Sequence, residues 1–191
     1  RKKRGRQVKN MRKSYIVSAK RTAIGSFLGG LATVKPKDMG SAVVKALLED
    51  ANVAPENVDE VICGNVLGAG LGQNIGRPIA LEAGIPETVC AHSVNMVCGS
   101  GLRTVMEAVM SIQCGFNDIV VAGGVESMSG APYLIPANTR TGNKMGNFTV
   151  VDHMIYDALT DARANIHMGV TAENIAKKYN ITREEQDAFG Y

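Results

Sequence analysis

The sequence has few aromatic residues and lacks any long apolar run. Its 191 residues include no tryptophan and are only 5% aromatic, so few side chains are available to stack on nucleic-acid bases. No apolar run approaches the roughly 18 residues that a membrane-spanning helix requires. We therefore expect neither a nucleic-acid partner nor a membrane partner. The content of 45% hydrophobic and 20% charged residues is typical of a globular chain with a buried core.

Cysteine and histidine are also scarce. The four cysteines are Cys63, Cys90, Cys98 and Cys114. They form no Cys-x-x-Cys pair, and the three histidines show no metal-ligand spacing. We expect no metal site. Scattered cysteines in a chain of this length indicate reduced thiols and a cytoplasmic location.

The net charge of +3 conceals an uneven distribution. Residues 1–13 hold eight basic and no acidic side chains, whereas the rest of the chain carries 13 basic and 18 acidic ones. We interpret residues 1–13 as a disordered tail, or as sequence added ahead of a natural start at Met11. The other interpretations are a nuclear-localisation or anion-binding tail and, more remotely, a nucleic-acid binder. The folded body itself is mildly acidic.

Strand-like and helix-like patterns alternate along residues 14–124. The predicted strands are continuous apolar runs at about 15–19, 58–63, 89–97 and 118–122. Helical spacing predicts helices at 36–51, 73–83 and 99–110, the last with Leu102, Val105, Met106 and Val109 on one face. This alternation indicates an α/β fold, a mostly parallel sheet covered by helices.

The pattern changes after residue 124. Residues 125–150 are rich in Ser, Pro, Asn, Thr and Gly, and short helices are predicted at 152–162 and 171–179. We assign 125–191 to a second, loop-rich domain. Thr182 and Glu185 have capping-box spacing and predict a further helix only nine residues before the last residue. We therefore expect the chain to be a fragment.

Cys98 has the strongest local signal for chemistry. It stands where the third strand is followed by the third helix, and glycines flank Ser100. A thiol at a helix N-terminus experiences the positive end of the helix dipole, which favours the nucleophilic thiolate. The pattern resembles a nucleophile elbow with cysteine as nucleophile. A cysteine buried at a tight turn is the alternative.

Other chemical candidates give weaker signals. The other three cysteines border apolar runs and are interpreted as core residues. The glycine-rich loop at 68–76 does not match a dinucleotide fingerprint. His92 is predicted to be half-buried with its polar groups satisfied, and His153 to lie at the surface. His167 lies on a turn, where ligand contact and a solvent-exposed position both remain open.

Four segments together resemble the thiolase family. They are Ser-Ala-Lys-Arg-Thr-Ala-Ile-Gly at 18–25, Val-Cys-Gly-Ser-Gly-Leu at 97–102, Ala-Gly-Gly-Val-Glu-Ser-Met-Ser at 122–129 and His-Met-Gly-Val-Thr-Ala-Glu-Asn at 167–174. They follow the family's order over about 14–191. The His-Met-Gly form is most similar to the biosynthetic acetoacetyl-CoA thiolases, the acetyl-CoA acetyltransferases.

The resemblance implies a fold, an assembly and a reaction. The chain would supply the first half of a five-layered αβαβα fold and part of an inserted loop domain, in a homodimer or homotetramer. Cys98 would carry the acyl group while two acetyl-CoA condense to acetoacetyl-CoA, and thiolysis is the reverse. The resemblance places Leu159, His167 and Met168 in the pantetheine and acyl pocket. CoA thioesters are substrates, so no cofactor is implied.

The chain lacks other motifs that the resemblance implies. It has no Gly-His-Pro, Asn-Glu-Ala-Phe or Cys-x-Gly motif, which carry the activating histidine, an asparagine and a second cysteine. The chain alone could thus be an inactive structural fragment. Alternatives for the enzyme are a 3-ketoacyl-CoA thiolase of broader chain length and another condensing enzyme such as a ketoacyl synthase. The 122–129 and 167–174 segments argue against the latter.

Overall fold

The computed structural model describes residues 12–191 and divides the chain into two compact units. The first unit ends at Gly130, and the second covers Ala131–Tyr191. The expected basic tail at 1–13 lies, apart from its last two residues, outside the described residues.

The first unit contains three helices and three strands, which alternate along the chain. Its elements are α1 (Pro36–Asp50), β1 (Glu60–Gly64), α2 (Gly76–Glu82), β2 (Cys90–Val94), α3 (Ser100–Cys114) and β3 (Val120–Gly124), with a 3-10 turn at Pro55–Asn57. The strands are parallel in the order β2-β1-β3. In register, Glu60 of β1 lies opposite Cys90 on one side and Val120 on the other. The predicted α/β class with a parallel sheet is confirmed.

The predicted strand at 15–19 is wrong. Tyr15, Ile16 and Val17 are 72%, 83% and 74% exposed, and no strand is assigned to them. Apolar β-branched residues favour a strand only where a neighbouring strand offers hydrogen bonds and packing. Among the described residues, the edge strands β2 and β3 pair only with β1, so residues 15–19 join neither edge of the sheet. The segment is instead held by polar contacts, in which Ser18 and Lys20 both donate to the Asp50 carboxylate at 2.6 Å.

The main core lies between the sheet and the helix pair α1 and α2. Its buried side chains come from both helices, from β1 and β3 and from the connecting loops: Val44, Leu48, Val58, Val61, Cys63, Ile75, Ile79, Ala80, Ala83, Ile85, Val89 and Val121. α1 and α2 pack closely, since a Cβ added at Gly40 would lie 2.5 Å from Ile79 Cδ1. Each large apolar side chain buried in this way contributes about 1.5–3 kcal/mol.

α3 packs on the sheet through small residues. Ser100, Thr104 and Ala108, spaced four apart, are its buried positions. Thr104 Oγ1 donates to the Gly101 carbonyl at 2.7 Å and contacts the Gly123 carbonyl at 3.2 Å. The apolar face predicted from helical spacing is not the buried side of α3, since Leu102 is 67% and Met106 46% exposed. Small side chains are favoured here because the helix approaches the strands closely.

The second unit contains short elements followed by two helices. They are β4 (Tyr133–Leu134), a 3-10 turn (Ala137–Thr141), β5 (Val151–Asp152), a π-helix (Met154–Leu159), α4 (Met168–Tyr179) and α5 (Arg183–Gly190). β4 and β5 pair antiparallel. The predicted capping box at Thr182 and Glu185 is confirmed. No helix among residues 12–191 combines the length and the apolar character needed to cross a membrane.

Candidate active site

Cys98 lies in a strained turn between β2 and α3. β2 ends at Val94, α3 begins at Ser100, and the Cys98 side chain is exposed. Cys98 thus stands at the N-terminal end of the helix, as the sequence predicts. Val97 just before it has φ +49°, in the left-handed region that disfavours β-branched residues. Such a conformation costs on the order of 1–3 kcal/mol and needs the surrounding contacts to hold it.

Two polar side chains hold this turn. Ser100 is buried, and its Oγ accepts the Met96 N–H at 2.9 Å and donates to the Val97 carbonyl at 2.6 Å. Asn95 Oδ1 accepts the Val97 N–H at 2.9 Å. These bonds fix the backbone on both sides of Val97. The Cys98 thiol is therefore presented from a rigid turn.

Glycines bring α3 directly against the strand ends. A Cβ at Gly64, the last residue of β1, would stand 2.8 Å from the Ser100 carbonyl carbon. A Cβ at Gly124, the last residue of β3, would stand 2.9 Å from the Gly64 carbonyl oxygen. Because only glycine fits, the start of α3 rests on the carboxyl ends of the strands. Ligands of open α/β sheets bind at this edge.

Glu126 holds the loop that follows β1. Its carboxylate accepts the N–H groups of Val66 and Leu67 at 2.9 Å each and the Asn65 amide at 3.0 Å. Glu126 belongs to the Gly-Gly-x-Glu-Ser-Met segment that resembles the family, but sequence reasoning did not identify its role. The structure shows that this carboxylate binds the loop that follows β1, at the same edge of the sheet as Cys98.

The four cysteines differ in exposure. Cys63 is buried, and burial raises the pKa of its thiol to about 11, an effect that the nearby Glu126 carboxylate reinforces. Cys90 and Cys114 are exposed, so their prediction as core residues is wrong. Cys90 begins β2, at the edge of the sheet, and Cys114 is the last residue of α3, where no further element covers it. Cys98 is thus one of three accessible thiols.

Two histidines have carboxylate partners. His92 Nδ1 lies 3.4 Å from Glu60 Oε1 and its Nε2 3.3 Å from Glu107 Oε2, so the predicted half-buried, satisfied histidine is confirmed. His153 is only 6% exposed, and the prediction that it lies at the surface is wrong. Its ring packs at the start of the π-helix beside Asp157. Across residues 12–191, no three His, Cys, Asp or Glu side chains cluster as metal ligands would.

The other three site candidates lie together in the second unit, whereas Cys98 belongs to the first. Leu159 ends the π-helix, and Thr160 after it pairs with His167 in an isolated β-bridge. His167 caps α4, and Met168 is the first residue of that helix. The Gly169 N–H donates to His167 Nδ1 at 3.0 Å. A neutral His167 ring therefore carries its proton on Nε2, which is left as a donor.

Comparison with known protein families identifies the family of this chain. The family model described as thiolase, N-terminal domain, matches residues 14–191. The chain belongs to the thiolase family. The family expected from the four sequence motifs is thus confirmed, and the turn at Cys98 is a feature of a thiolase domain.

Several curated proteins are similar to this thiolase chain. It is 56% identical over 174 residues to the acetyl-CoA acetyltransferase of Chromobacterium violaceum, covering 91% of the chain and 44% of that protein. It is 52% identical over 177 residues to that of Escherichia coli K12, covering 93% and 45%. The mouse cytosolic acetyl-CoA acetyltransferase is 55% identical over 172 residues, covering 90% and 43%. The chain thus spans less than half the length of these relatives.

Proposed function

We propose that the protein to which this chain belongs transfers acyl groups between CoA thioesters, condensing two acetyl-CoA to acetoacetyl-CoA and catalysing the reverse thiolysis. The observation that carries the proposal is the exposed Cys98 thiol at the N-terminal end of α3, held by the Ser100 and Asn95 bonds. The thiolase family and the names of the similar proteins support the same reaction.

The Cys98 thiolate attacks the acetyl carbonyl of the first acetyl-CoA. The bond from the acetyl carbon to the CoA sulfur breaks, CoA leaves as the thiolate, and an acetyl-cysteine thioester remains. A base removes a proton from the methyl group of a second acetyl-CoA, a role that the resemblance to the family gives to the cysteine of the Cys-x-Gly motif, and the resulting carbanion attacks this thioester. A carbon–carbon bond forms and the Cys98 sulfur is released. Backbone N–H groups at the turn, including that of Cys98, stabilise the thioester oxygen as charge develops on it.

The second-unit residues suit the substrate tail and acyl group. Leu159 and Met168 supply apolar surface, and His167 supplies an Nε2–H donor, since its Nδ1 already accepts from Gly169. These roles follow the match to the family motif around residue 167. CoA acts as a substrate, so the reaction requires no separate cofactor or metal. A homodimer or homotetramer and a cytoplasmic location belong to the same proposal.

A spectrophotometric assay of acetoacetyl-CoA thiolysis tests the proposal. The protein used is a full-length version, meaning this chain followed by a C-terminal part of the length found in its relatives. Cys98→Ala is expected to lower kcat by on the order of 10³-fold or more, because the covalent route is lost. Cys114→Ala, at another exposed cysteine, serves as the control. Cys98→Ala activity within tenfold of wild type would exclude Cys98 as the nucleophile.

The same assay distinguishes the alternatives. Acetoacetyl-CoA is compared with 3-ketoacyl-CoA substrates of increasing chain length, and comparable rates on longer chains would indicate a thiolase of broader specificity. The 191-residue chain alone is expected to be inactive, since it has no Gly-His-Pro motif and no Cys-x-Gly motif. Each missing proton-transfer group removes a factor of about 10²–10⁴.

A further inference from the structure

The second unit contains a π-helix that ends at Leu159, one of its three substrate-pocket candidates. Residues Met154–Leu159 form this helix, and Thr160 then pairs with His167. π-helical turns are rare and occur frequently at functional sites. Because a π-helix has more residues per turn than an α-helix, it directs the Leu159 side chain differently from an α-helix of the same sequence. The conformation of this segment therefore determines where Leu159 points.

Hydrogen bonds hold the π-helix at both ends. At its start, Asp152 Oδ1 accepts the Met154 N–H at 2.9 Å and the Ile155 N–H at 3.4 Å. At its end, Thr160 Oγ1 donates to the Ile155 carbonyl at 2.7 Å. These side chains satisfy backbone groups that a short helix leaves without partners.

His153 adds a buried contact along the helix. Its side chain is 8% exposed, its backbone N–H donates to the Pro132 carbonyl, and its Nδ1 lies 2.5 Å from Asp157 Oδ2. A carboxylate only accepts, so Nδ1 carries the proton. Among the described residues, the buried Nε2 atom has no hydrogen-bond partner. The hydrogen bond from Nδ1 to Asp157, one helical turn away, therefore positions the buried His153 ring.

We propose that His153 is a positioning residue for substrate binding. Its Nδ1–H bond to Asp157, together with the Thr160 bond to Ile155, keeps the segment in the π form and thereby fixes Leu159 in the wall of the acyl-CoA pocket. This inference rests on the proposed function, because it takes Leu159 as a pocket residue. His153 itself touches no reacting atom in this proposal.

Steady-state thiolysis kinetics of the full-length version test the proposal. His153→Leu fills the same space without a donor and is expected to raise the KM for acetoacetyl-CoA about tenfold with kcat within about twofold, since binding contacts are lost rather than chemistry. His153→Asn, whose amide N–H replaces Nδ1–H, is expected to retain a KM near the wild-type value. Thr160→Val is expected to raise the KM as well.

A control and a second readout keep the test decisive. Asp187→Ala removes the exposed Arg183–Asp187 pair, which has the same four-residue spacing in α5, and is expected to leave the KM unchanged. Amide hydrogen exchange of residues 154–160 is expected to accelerate in His153→Leu and Thr160→Val but not in His153→Asn. If His153→Leu does not fold, the KM and the hydrogen exchange of Thr160→Val test the proposal instead.

The outcomes separate this inference from the proposed function. An unchanged KM in both His153→Leu and Thr160→Val, or an Asn variant no better than the Leu variant, would overturn the positioning role while thiolysis itself stands. A wild-type protein without thiolysis would overturn the proposed function and the pocket role with it. Hydrogen exchange would then still decide whether His153 holds the π-helix.

Discussion

Cys98 and Cys63 carry the same thiol group in opposite surroundings. Cys98 is exposed at the start of α3, whereas Cys63 lies in the core, where burial raises its pKa to about 11. Only a thiolate attacks carbon readily. Near neutral pH Cys63 is therefore protonated and shielded, and the reactive thiol must be sought among the exposed cysteines.

Alkylation rates test this contrast. In the full-length version, we expect iodoacetamide to label Cys98 fastest and Cys63 slowest near neutral pH, because Cys98 combines exposure with a helix N-terminus. Cys90 and Cys114 are built-in controls for exposure alone. Peptide mapping by mass spectrometry gives the four rates, and acetyl-CoA is expected to protect Cys98 selectively. Labelling of Cys90 or Cys114 before Cys98 would contradict the assignment.

Sequence reasoning succeeded where the signal is local. Cys98 was placed correctly because a strand, a glycine-flanked turn and a helix follow one another within a few residues. Glu126 was not recognised, since the backbone N–H groups that it binds at Val66 and Leu67 lie about 60 residues away. The burial of His153 was also missed, because no helical or strand period links it to the residues that it contacts outside its own helix, such as Pro132, whose carbonyl accepts the His153 backbone N–H.

At the scale of elements, the contact between β1 and α3 rests on the absence of one side chain. A Cβ at Gly64 would meet backbone atoms of Ser100 and Gly101 at 2.8–2.9 Å, whereas a Cβ at Gly101 would meet nothing within 4 Å. Backbone atoms cannot move aside as the end of a flexible side chain can. Gly64 and Gly101 therefore allow a comparison of two glycines near the same contact, one that has no room for a Cβ and one that has room.

Alanine at these two positions is expected to have opposite effects. Gly64→Ala is expected to destabilise the domain by about 1–3 kcal/mol, the usual cost of overpacking. Gly101→Ala is expected to be neutral or to stabilise by about 0.5–1 kcal/mol, because alanine is the better helix former. Urea unfolding followed by circular dichroism measures both. Equal effects of the two substitutions would show that α3 does not rest on β1 as described.

Asp59 links the starts of β1 and β3 and makes this link sensitive to pH. Its carboxylate accepts the N–H groups of Ile119 and Asp118 at 2.9 and 2.7 Å, and these bonds lower the pKa of Asp59 below its ordinary value of 3.8. A lowered pKa in the folded state means that the stabilisation is complete above 3.8 and is lost as the pH falls through the folded-state pKa.

Asp59→Asn is accordingly expected to weaken the acid dependence of stability. The variant loses about 0.5–1 kcal/mol at pH 7, a small value because the site is exposed to solvent. It also loses less stability than wild type on acidification below pH 3.8. Urea unfolding across this range gives the comparison, with Glu184→Gln in exposed α5 as control. Parallel acid profiles for wild type and Asp59→Asn would contradict the prediction.

The elements show where periodicity alone is insufficient. Helical spacing located α3 and placed Leu102 and Met106 on one apolar face, whereas the buried side is formed by Ser100, Thr104 and Ala108. Hydrophobicity identifies a face that needs covering, but it does not identify which neighbour covers it. The strand expected at 15–19 is absent because a high β-propensity does not by itself produce pairing with a neighbouring strand.

At the scale of the whole molecule, the chain exposes an apolar stripe on α3. Leu102, Met106 and Met110 recur at four-residue spacing with 67%, 46% and 44% exposure. Exposed apolar surfaces of this kind favour association between chains. The chain also covers less than half the length of its relatives.

The isolated chain is therefore expected to self-associate through α3. Light scattering coupled to size-exclusion chromatography, at several protein concentrations, should show species larger than a monomer. A Leu102→Gln, Met106→Gln double variant is expected to shift the distribution towards the monomer. Met145→Gln, which changes a 93% exposed methionine of the second unit, is the control. A monomeric wild-type chain, or an effect of Met145→Gln equal to that of the double variant, would refute the prediction.

The central position of β1 has a consequence for synthesis on the ribosome. β1 is made first, yet Glu60 pairs with Cys90 thirty residues later and with Val120 sixty residues later. Parallel pairing of this kind is non-local and forms slowly. In the nascent chain, one edge of β1 therefore stays without its partner strand until β3 has emerged. During this interval, the unpaired N–H and C=O groups of that edge can pair with a strand of another chain, and a chaperone that covers β1 would prevent such pairing.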